Sequence, residues 1–237
     1  MGRFGGAFRS DSKLFYYLAK LAEVLWLNLL VLACSLPLIT IGAAMSAMHY
    51  CLLKIYRDDS IRVTVDFFKQ LWANLWKGIL EWLIIVASLG ACIGVYYLMT
   101  NYGSGGSPLF RLIPLAVGVA LLVVFIWVFP LQSRYENTVR NTFKNAFLVF
   151  LSHPLQSVCM LVLHLLPLLL LLNIELWPLV ALFGISLPGI GNTMFYTRVF
   201  NELEGKTNKK VVARNDLSGP LSEEEAAALQ AEDSKAE

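Results

Sequence analysis

Long apolar runs alternate with short polar connections along this chain. Crossing the hydrocarbon core of a bilayer takes about 20 mostly apolar residues. Four runs meet or approach that length: residues 21–41, 79–100, 112–131 and 155–172. A fifth run, residues 176–190, is shorter and ends at a Leu-Pro-Gly break, beyond which a helix is expected to continue. The pattern predicts an all-α fold, a polytopic transmembrane helical bundle.

The amino-acid composition also indicates a chain that is embedded in lipid. Hydrophobic residues make up 57% of it and charged residues only 15%, whereas a soluble domain is about 25% charged. A chain of 237 residues has too much surface to hide so many apolar side chains from water. The net charge of +2 argues against a nucleic-acid partner, which would require a strongly basic face.

The polar connections differ in charge, which predicts the side of the membrane on which each of them lies. Residues 54–77, residues 134–144 and the segment after the last span are basic, whereas residues 101–110 and 173–175 are not. Basic residues accumulate on the cytoplasmic side of membrane proteins. We therefore expect the three basic connections and the C-terminus to be cytoplasmic and the other two connections to lie outside.

Two membrane topologies are possible for the first apolar run. The N-terminus is basic and should also be cytoplasmic, which requires an even number of crossings before residue 54. A hairpin satisfies this, with helices over residues 21–36 and 43–57 and a turn at residues 37–42, although each arm is only roughly 23 Å long. The alternative is one full span with the N-terminus outside. The hairpin is favoured, which gives six membrane helices instead of five.

Two basic connections are expected to contain amphipathic helices, near residues 64–77 and 135–151. One face of the first carries Phe68, Leu71, Trp72, Leu75 and Trp76, and one face of the second carries Val139, Phe143, Ala146, Phe147 and Phe150. Aromatic residues beside basic ones are typical of helices that lie at the lipid headgroups. The alternative for each is a plain extension of the next membrane helix.

The composition changes near residue 205. Residues 1–204 form the predicted transmembrane domain, and residues 205–237 form a charged cytoplasmic tail that turns from basic to acidic. Ser222 and Glu225 fit a capping box, which predicts a short helix over residues 223–231.

Residues suited to catalysis or metal binding do not cluster in the sequence. No phosphate-binding loop, zinc-protease motif or nucleophile elbow is present. The four cysteines stand singly in apolar runs, as small buried hydrophobes do. Neither His49 nor His164 has a metal-ligand type at helical spacing. We therefore expect no enzyme activity, no metal and no cofactor.

Polar groups inside apolar runs are the candidate functional or structural positions, because burying them is costly. Asn28 is expected to bond across helices, and Glu81 to pair with Lys77 one turn away or to reach the interface. His49 and His164 are hydrogen-bonding candidates. Pro37 and Gly42 bound an unusual break, which we interpret as a hairpin turn, with a transporter-like broken helix as the alternative.

Several blocks of the chain resemble the YesL family of bacterial membrane proteins, a domain of unknown function (number 624). The first is Cys34-Ser35-Leu36-Pro37-Leu38-Ile39-Thr40-Ile41-Gly42-Ala43, preceded by Leu27-Asn28-Leu29-Leu30. Weaker blocks follow in order, at Asp66-Phe67-Phe68-Lys69-Gln70, Phe129-Pro130-Leu131, Arg134-Tyr135-Glu136-Asn137 and Pro188-Gly189. The resemblance covers about residues 14–204 and excludes the acidic tail.

The resemblance implies a multi-span protein of the bacterial plasma membrane that accompanies carbohydrate uptake. It carries over no functional residues. We expect a non-enzymatic accessory or regulatory partner of a carbohydrate ABC transporter or a membrane sensor, embedded in the lipid bilayer. A small secondary transporter or permease component is the alternative, with its path near residues 37–42, Asn28 or His164. An intramembrane enzyme would need acid–base pairs in one cavity.

Overall fold

The computed structural model describes residues 13–57, 59–102, 108–170, 175, 178 and 183–217. These residues form α-helices and short connections without any strand, which confirms the all-α prediction. In chain order the helices are α1 (Lys13–Ser35), α2 (Ile41–Tyr56), α3 (Val63–Ala73), α4 (Leu75–Asn101), α5 (Leu112–Arg134), α6 (Val139–Ser152), α7 (Pro154–Leu170) and α8 (Ser186–Leu217).

Four segments are long and apolar enough to cross a membrane: Phe15–Ser35, Leu38–Tyr56, Leu75–Asn101 and Leu112–Arg134. Helices α6 and α7 together form a fifth candidate, but they meet at a bend of 108°. The protein is therefore a helical membrane bundle with four or five candidate spans among the residues described. This number is compatible with the predicted count of six or five membrane helices, since part of the fifth apolar run lies outside the described residues.

The fifth apolar run of the sequence lies mostly outside the described residues. Its C-terminal end is described, and there helix α8 begins at Ser186 and continues through Pro188 without interruption. The break lies a few residues earlier, at a turn over residues 184–185, and the helix expected to follow it is present. Proline is compatible with the first turn of a helix, because its missing N–H would have no partner there in any case.

Helices α1 and α2 pack against each other on either side of a tight turn, as the hairpin prediction required. Pro37 ends α1, a single 3-10 turn spans Leu38–Thr40, and the Thr40 N–H donates to the Pro37 carbonyl at 2.8 Å. The Thr40 hydroxyl bonds the carbonyls of Cys34 and Pro37, which satisfies acceptors that the helix end leaves open. The first arm begins at Lys13 and is longer than predicted.

The N-terminal core is shared by α1, α2 and α3. Its centre is apolar and fully buried, formed by Leu27, Val31, Ala43, Ala44, Ala47, Met48, Cys51, Leu52 and Phe67. Helix α3 contributes Phe67 and Leu71, whereas the predicted apolar face left out Phe67 and included Trp72, which is 68% exposed. The helix also ends before Asn74, so Leu75 and Trp76 belong to α4.

Helix α6 is a separate element and not a straight extension of α7. It buries Thr142, Ala146 and Val149, and its Phe143 ring meets Phe125 of α5 edge-on with 5.9 Å between centroids. Phe147, placed on the same face by the sequence, is half exposed. Whether α6 lies at the lipid headgroups stays a prediction.

A buried hydrogen bond joins α5 to α7. The Trp127 indole N–H donates to the Ser157 hydroxyl at 2.7 Å, and that hydroxyl donates to the His153 carbonyl at 2.8 Å. Trp127 and Ser157 are both fully buried. Because each donor has an acceptor, the two helices gain specificity without an orphaned polar group.

The chain divides into two compact units, Met1–Tyr196 and Thr197–Glu237, with the boundary inside α8. Helix α8 extends to Leu217, which places the basic stretch after residue 205 in a helix. The predicted helix over residues 223–231 lies outside the described residues, and the cytoplasmic location of the tail stays a prediction.

Candidate functional site

Three of the polar positions singled out in the sequence, Asn28, His49 and His164, contact α8. They come from α1, α2 and α7 and reach Ser186, Tyr196 and Asn192, respectively. The first turns of α8 are thus the point that these three side chains, from three different helices, have in common.

Asn28 caps the start of α8 from another helix. Its side-chain oxygen accepts hydrogen bonds from the backbone N–H groups of Ile185, at 3.2 Å, and Ser186, at 2.9 Å. The first N–H groups of a helix have no acceptor within that helix. Asn28 is fully buried, so it supplies acceptors that water cannot supply there. The prediction that it bonds across helices is confirmed.

His164 on α7 contacts Asn192 on α8. The Nδ1 atom of His164 lies 2.7 Å from Nδ2 of Asn192 and 3.0 Å from the Met160 carbonyl oxygen. A protonated Nδ1 donates to Met160, whereas a bare Nδ1 accepts from the amide. The position therefore accommodates either tautomer of the imidazole.

His49 on α2 lies against Tyr196 of α8. Their rings meet edge-on with 5.6 Å between centroids, and the Tyr196 hydroxyl lies 3.4 Å from the His49 carbonyl oxygen. The same hydroxyl is 2.8 Å from the Thr193 hydroxyl, which donates to the Gly189 carbonyl. The residues His49, His164, Asn192, Thr193 and Tyr196 are called the α8 polar cluster below.

Some buried polar atoms at α2 and α8 have no hydrogen-bond partner in the described structure. They are Oγ of Ser46, Nδ1 of His49, Oγ of Ser186 and Oδ1 of Asn192. Orphaned polar atoms are uncommon in protein interiors and cost about 1–3 kcal/mol each. Two of these atoms, on His49 and Asn192, belong to the α8 polar cluster, which thus retains capacity to bond a water molecule or a small polar solute.

Pro37 and Gly42 do not belong to this cluster. Pro37 forms the α1–α2 turn, and Gly42 lies against α4, where a Cβ atom would collide with the backbone of Gly78. A Cβ at Gly78 would in turn come within 2.6 Å of the Ala43 Cα. Close contact between α2 and α4 therefore requires both glycines.

Glu81 is fully buried on α4, and neither carboxylate oxygen has a hydrogen-bond partner among the described residues. No described cation lies within ion-pairing distance of it, so the expected pair with Lys77 does not form. Its complete burial also rules out a carboxylate that reaches the interface. The nearby Thr142 hydroxyl bonds the Thr138 carbonyl instead, at 3.2 Å.

Sequence analysis missed the α8 members of the cluster. Gly189, Asn192, Thr193 and Tyr196 recur at helical spacing, which is the signal of a single helix face. The signal was overlooked because these residues follow directly on the apolar run of residues 176–190. Within the described part of the chain, no group of three or more His, Cys, Asp or Glu side chains is placed to hold a metal ion.

Comparison with known proteins gives one match. The family model described as "Protein of unknown function, DUF624" matches residues 24–98. No curated protein and no solved structure matches the chain. The matched residues run from the middle of α1, through the hairpin turn and α3, to near the end of α4. Over residues 24–98, this helical membrane protein is therefore similar to the DUF624 (YesL) family, in agreement with the resemblance that its sequence blocks indicated.

Proposed function

We propose that the protein is a non-enzymatic accessory or regulatory subunit of carbohydrate uptake in the bacterial plasma membrane. Its partner in this proposal is a membrane helix of a carbohydrate transporter. The link to carbohydrate uptake rests on what the family resemblance implies. The link to a helical partner rests on one observation, the outward face of α4.

Helix α4 has two opposite faces. Glu81, Ile85 and Ser88 lie on the side packed against the bundle, whereas Leu83, Gly90 and Gly94 lie on the other side and are exposed. A Cβ atom at either Gly90 or Gly94 would meet nothing within 4 Å. The two glycines lie about one helical turn apart, so they form a shallow, open surface on α4.

Such a surface suits another helix better than lipid. Glycine inside a helix costs roughly 1 kcal/mol relative to alanine, and no contact with another described residue compensates for that cost at Gly90 or Gly94. Small residues four apart let two membrane helices approach closely, with gains from packing that lipid tails do not provide. This pattern supports a partner helix at α4.

Bulky substitutions on this face are expected to release the partner. The chain carries a C-terminal tag and is purified from native membranes in mild detergent, with bound proteins identified by mass spectrometry. We expect a carbohydrate permease in near-stoichiometric yield with the wild type. Gly90→Leu together with Gly94→Leu should lower that yield at least about tenfold, because the leucines prevent close approach.

Ala120→Leu is the matched control, since Ala120 is an exposed small residue on α5, and its yield should equal that of the wild type. Equal permease yield from all three proteins would contradict the proposed α4 interface. Absence of any carbohydrate transporter from the wild-type sample would contradict the carbohydrate proposal as a whole.

A second candidate function, a small secondary transporter, is favoured by the α8 polar cluster. His49, Asn192 and Tyr196 are almost fully buried, and His49 and Asn192 each keep an unpartnered polar atom. Polar groups inside membrane segments often line a path for a solute or a proton. His164 can change tautomer at Asn192, as a proton-coupled site requires.

Flux measurements separate this candidate from the accessory role. Purified protein in liposomes is tested for uptake of labelled sugars, with and without a proton gradient. A transporter should show flux above empty liposomes that Asn192→Leu abolishes and Asn101→Leu, at an exposed helix end, leaves intact. Flux equal to that of empty liposomes for every sugar would contradict the transporter candidate.

A further inference from the structure

The carboxyl group of Glu81 is buried inside the bundle without a partner. Glu81 lies in the second turn of α4 and is fully buried. Neither of its oxygens has a hydrogen-bond partner among the described residues, and no described cation lies within ion-pairing distance. A buried carboxylate without a counter-charge is so costly that such groups become neutral instead. The site therefore requires a ligand that removes the negative charge.

The cations of α4 and α6 do not neutralise Glu81. Lys77, one turn earlier on α4, is close enough to interact with its charge but forms no ion pair with it. Helix α6 carries Arg140 and Lys144, which are both exposed and lie two residues on either side of Thr142. Residues two positions apart do not share a face of a helix. These two side chains therefore lie on other faces of α6 than Thr142.

Helices α2 and α5 bring no charge to this part of α4. Residues 112–133 of α5 include no ionisable side chain. Helix α2 meets α4 through Gly42, which lies against Gly78, one turn before Glu81. The first ionisable residue of α2, His49, lies about two turns beyond Gly42. The positive charge that Glu81 requires therefore has to come from solution.

Thr142 of α6 lies beside the carboxyl group of Glu81 and is also buried. Its hydroxyl donates to the Thr138 carbonyl oxygen, at 3.2 Å, so the hydroxyl oxygen still has acceptor capacity. An ionised carboxylate only accepts hydrogen bonds, whereas a neutral carboxyl group has one O–H donor. Two acceptors thus face each other without a hydrogen between them, and one proton on Glu81 supplies it.

We propose that Glu81 is a proton-binding site, in which the neutral carboxyl group donates its hydrogen to the Thr142 hydroxyl oxygen and joins α6 to α4. Binding takes one proton from water, forms one O–H bond on the carboxylate and removes its negative charge. Release of the proton leaves a buried charge beside an acceptor, which weakens the contact between the two helices. The attachment of α6 therefore depends on pH.

Infrared spectroscopy of the purified full chain in detergent is the first test. A neutral carboxyl group has a C=O stretching band that an ionised carboxylate lacks. At neutral pH, the difference between the wild type and Glu81→Gln should contain one such band. Glu136→Gln is the matched control, since Glu136 is an exposed glutamate between α5 and α6, and it should keep the band. A difference spectrum without the band would overturn the proposal.

Thr142→Val tests the hydrogen bond, and it remains informative if Glu81→Gln does not fold. Valine matches threonine in shape but has no hydroxyl oxygen to accept from the carboxyl group. We expect the carboxyl band to move to higher frequency, because the carboxyl O–H loses its acceptor. A band at the wild-type frequency would mean that Glu81 does not donate to Thr142, which contradicts the proposal.

Thermal unfolding from about pH 5 to about pH 9 gives an independent reading. An unfolded glutamate is ionised throughout this range, so the folded state binds more protons and a rise in pH destabilises it. Each pH unit over which Glu81 keeps its proton lowers the ratio of folded to unfolded protein about tenfold. The Tm of the wild type and of Glu136→Gln should therefore fall more steeply with pH than that of Glu81→Gln.

Two results of the unfolding experiment would overturn the proposal. The first is the same dependence of Tm on pH in the wild type and in Glu81→Gln. The second is a Tm that sodium chloride raises and choline chloride does not, in the wild type but not in Glu81→Gln. That result would identify a metal cation, and not a proton, as the ligand of Glu81.

Discussion

Replacement of Gly42 or Gly78 by alanine is expected to destabilise the bundle by about 3 kcal/mol. A methyl group at either position would overlap the backbone of the opposite helix: Gly78 for the first and Ala43 for the second. Overpacking a tight core costs about 1–3 kcal/mol even where flexible side chains yield. Here only a movement of α2 away from α4 relieves the overlap, so the cost should lie at the upper end.

Thermal unfolding in detergent, followed by tryptophan fluorescence, measures this effect. A loss of about 3 kcal/mol corresponds to a decrease in Tm of roughly 6–12 °C for a chain of this size. Gly90→Ala is the matched control, because a Cβ at Gly90 meets nothing within 4 Å. It should leave the Tm unchanged or raise it slightly. A stable Gly42→Ala protein would mean that α2 and α4 do not pack as closely as described.

Asn28→Leu is expected to cost about 2 kcal/mol and to loosen the start of α8. Leucine matches asparagine in shape but has no acceptor for the N–H groups of Ile185 and Ser186. An orphaned buried N–H costs about 1–3 kcal/mol, whereas hydrogen bonds between membrane helices average about 0.6 kcal/mol. Two lost hydrogen bonds at about 1 kcal/mol each, between these two values, give the expected loss of about 2 kcal/mol. This loss corresponds to a decrease in Tm of roughly 4–8 °C.

Amide hydrogen exchange provides the local measurement. Exchange at Ile185 and Ser186 should accelerate in Asn28→Leu, while exchange at the centre of α5 stays slow. Asn28→Asp is the comparison, since its carboxylate keeps an acceptor in place and a negative charge favours a helix N-terminus. It should retain more stability than leucine. If leucine at position 28 left exchange at α8 unaltered, the cap would have no energetic role.

Polar side chains show the limit of the sequence most clearly. Burial cost alone marked Asn28, His49, Glu81 and His164 as important, and the structure buries the first three completely or almost so. The cost of burial does not predict which groups these side chains bond to. Asn28 bonds residues 157 and 158 positions away, and His164 meets Asn192 across two helices. Glu81 was expected to pair within its own helix and does not.

Predictions from local sequence periodicity were also wrong where several faces of one helix were similarly apolar and tertiary packing determined which of them is buried. Helical periodicity predicted an apolar face of α3 that included Trp72, whereas the bundle buries Phe67, which lies against α1 and α2. Large aromatic side chains on one helix have similar burial energies, so the neighbouring helices decide which of them faces inward. The proline at position 188 likewise marked a break in the sequence, whereas in the structure it lies in the first turn of α8, which begins at Ser186.

The sequence by itself determined that this is an all-α membrane protein, and it favoured a hairpin over a single span at the N-terminus without deciding between them. Apolar run length and the Pro37–Gly42 turn are local signals, and lipid leaves a helix as the one simple way to satisfy the backbone of each run. Only the tertiary structure decided that Gly42 meets Gly78, that Asn28 caps α8 and that Thr142 lies beside the carboxyl group of Glu81. Those contacts join residues far apart in the chain, and their energies depend on helix packing, which periodicity does not encode.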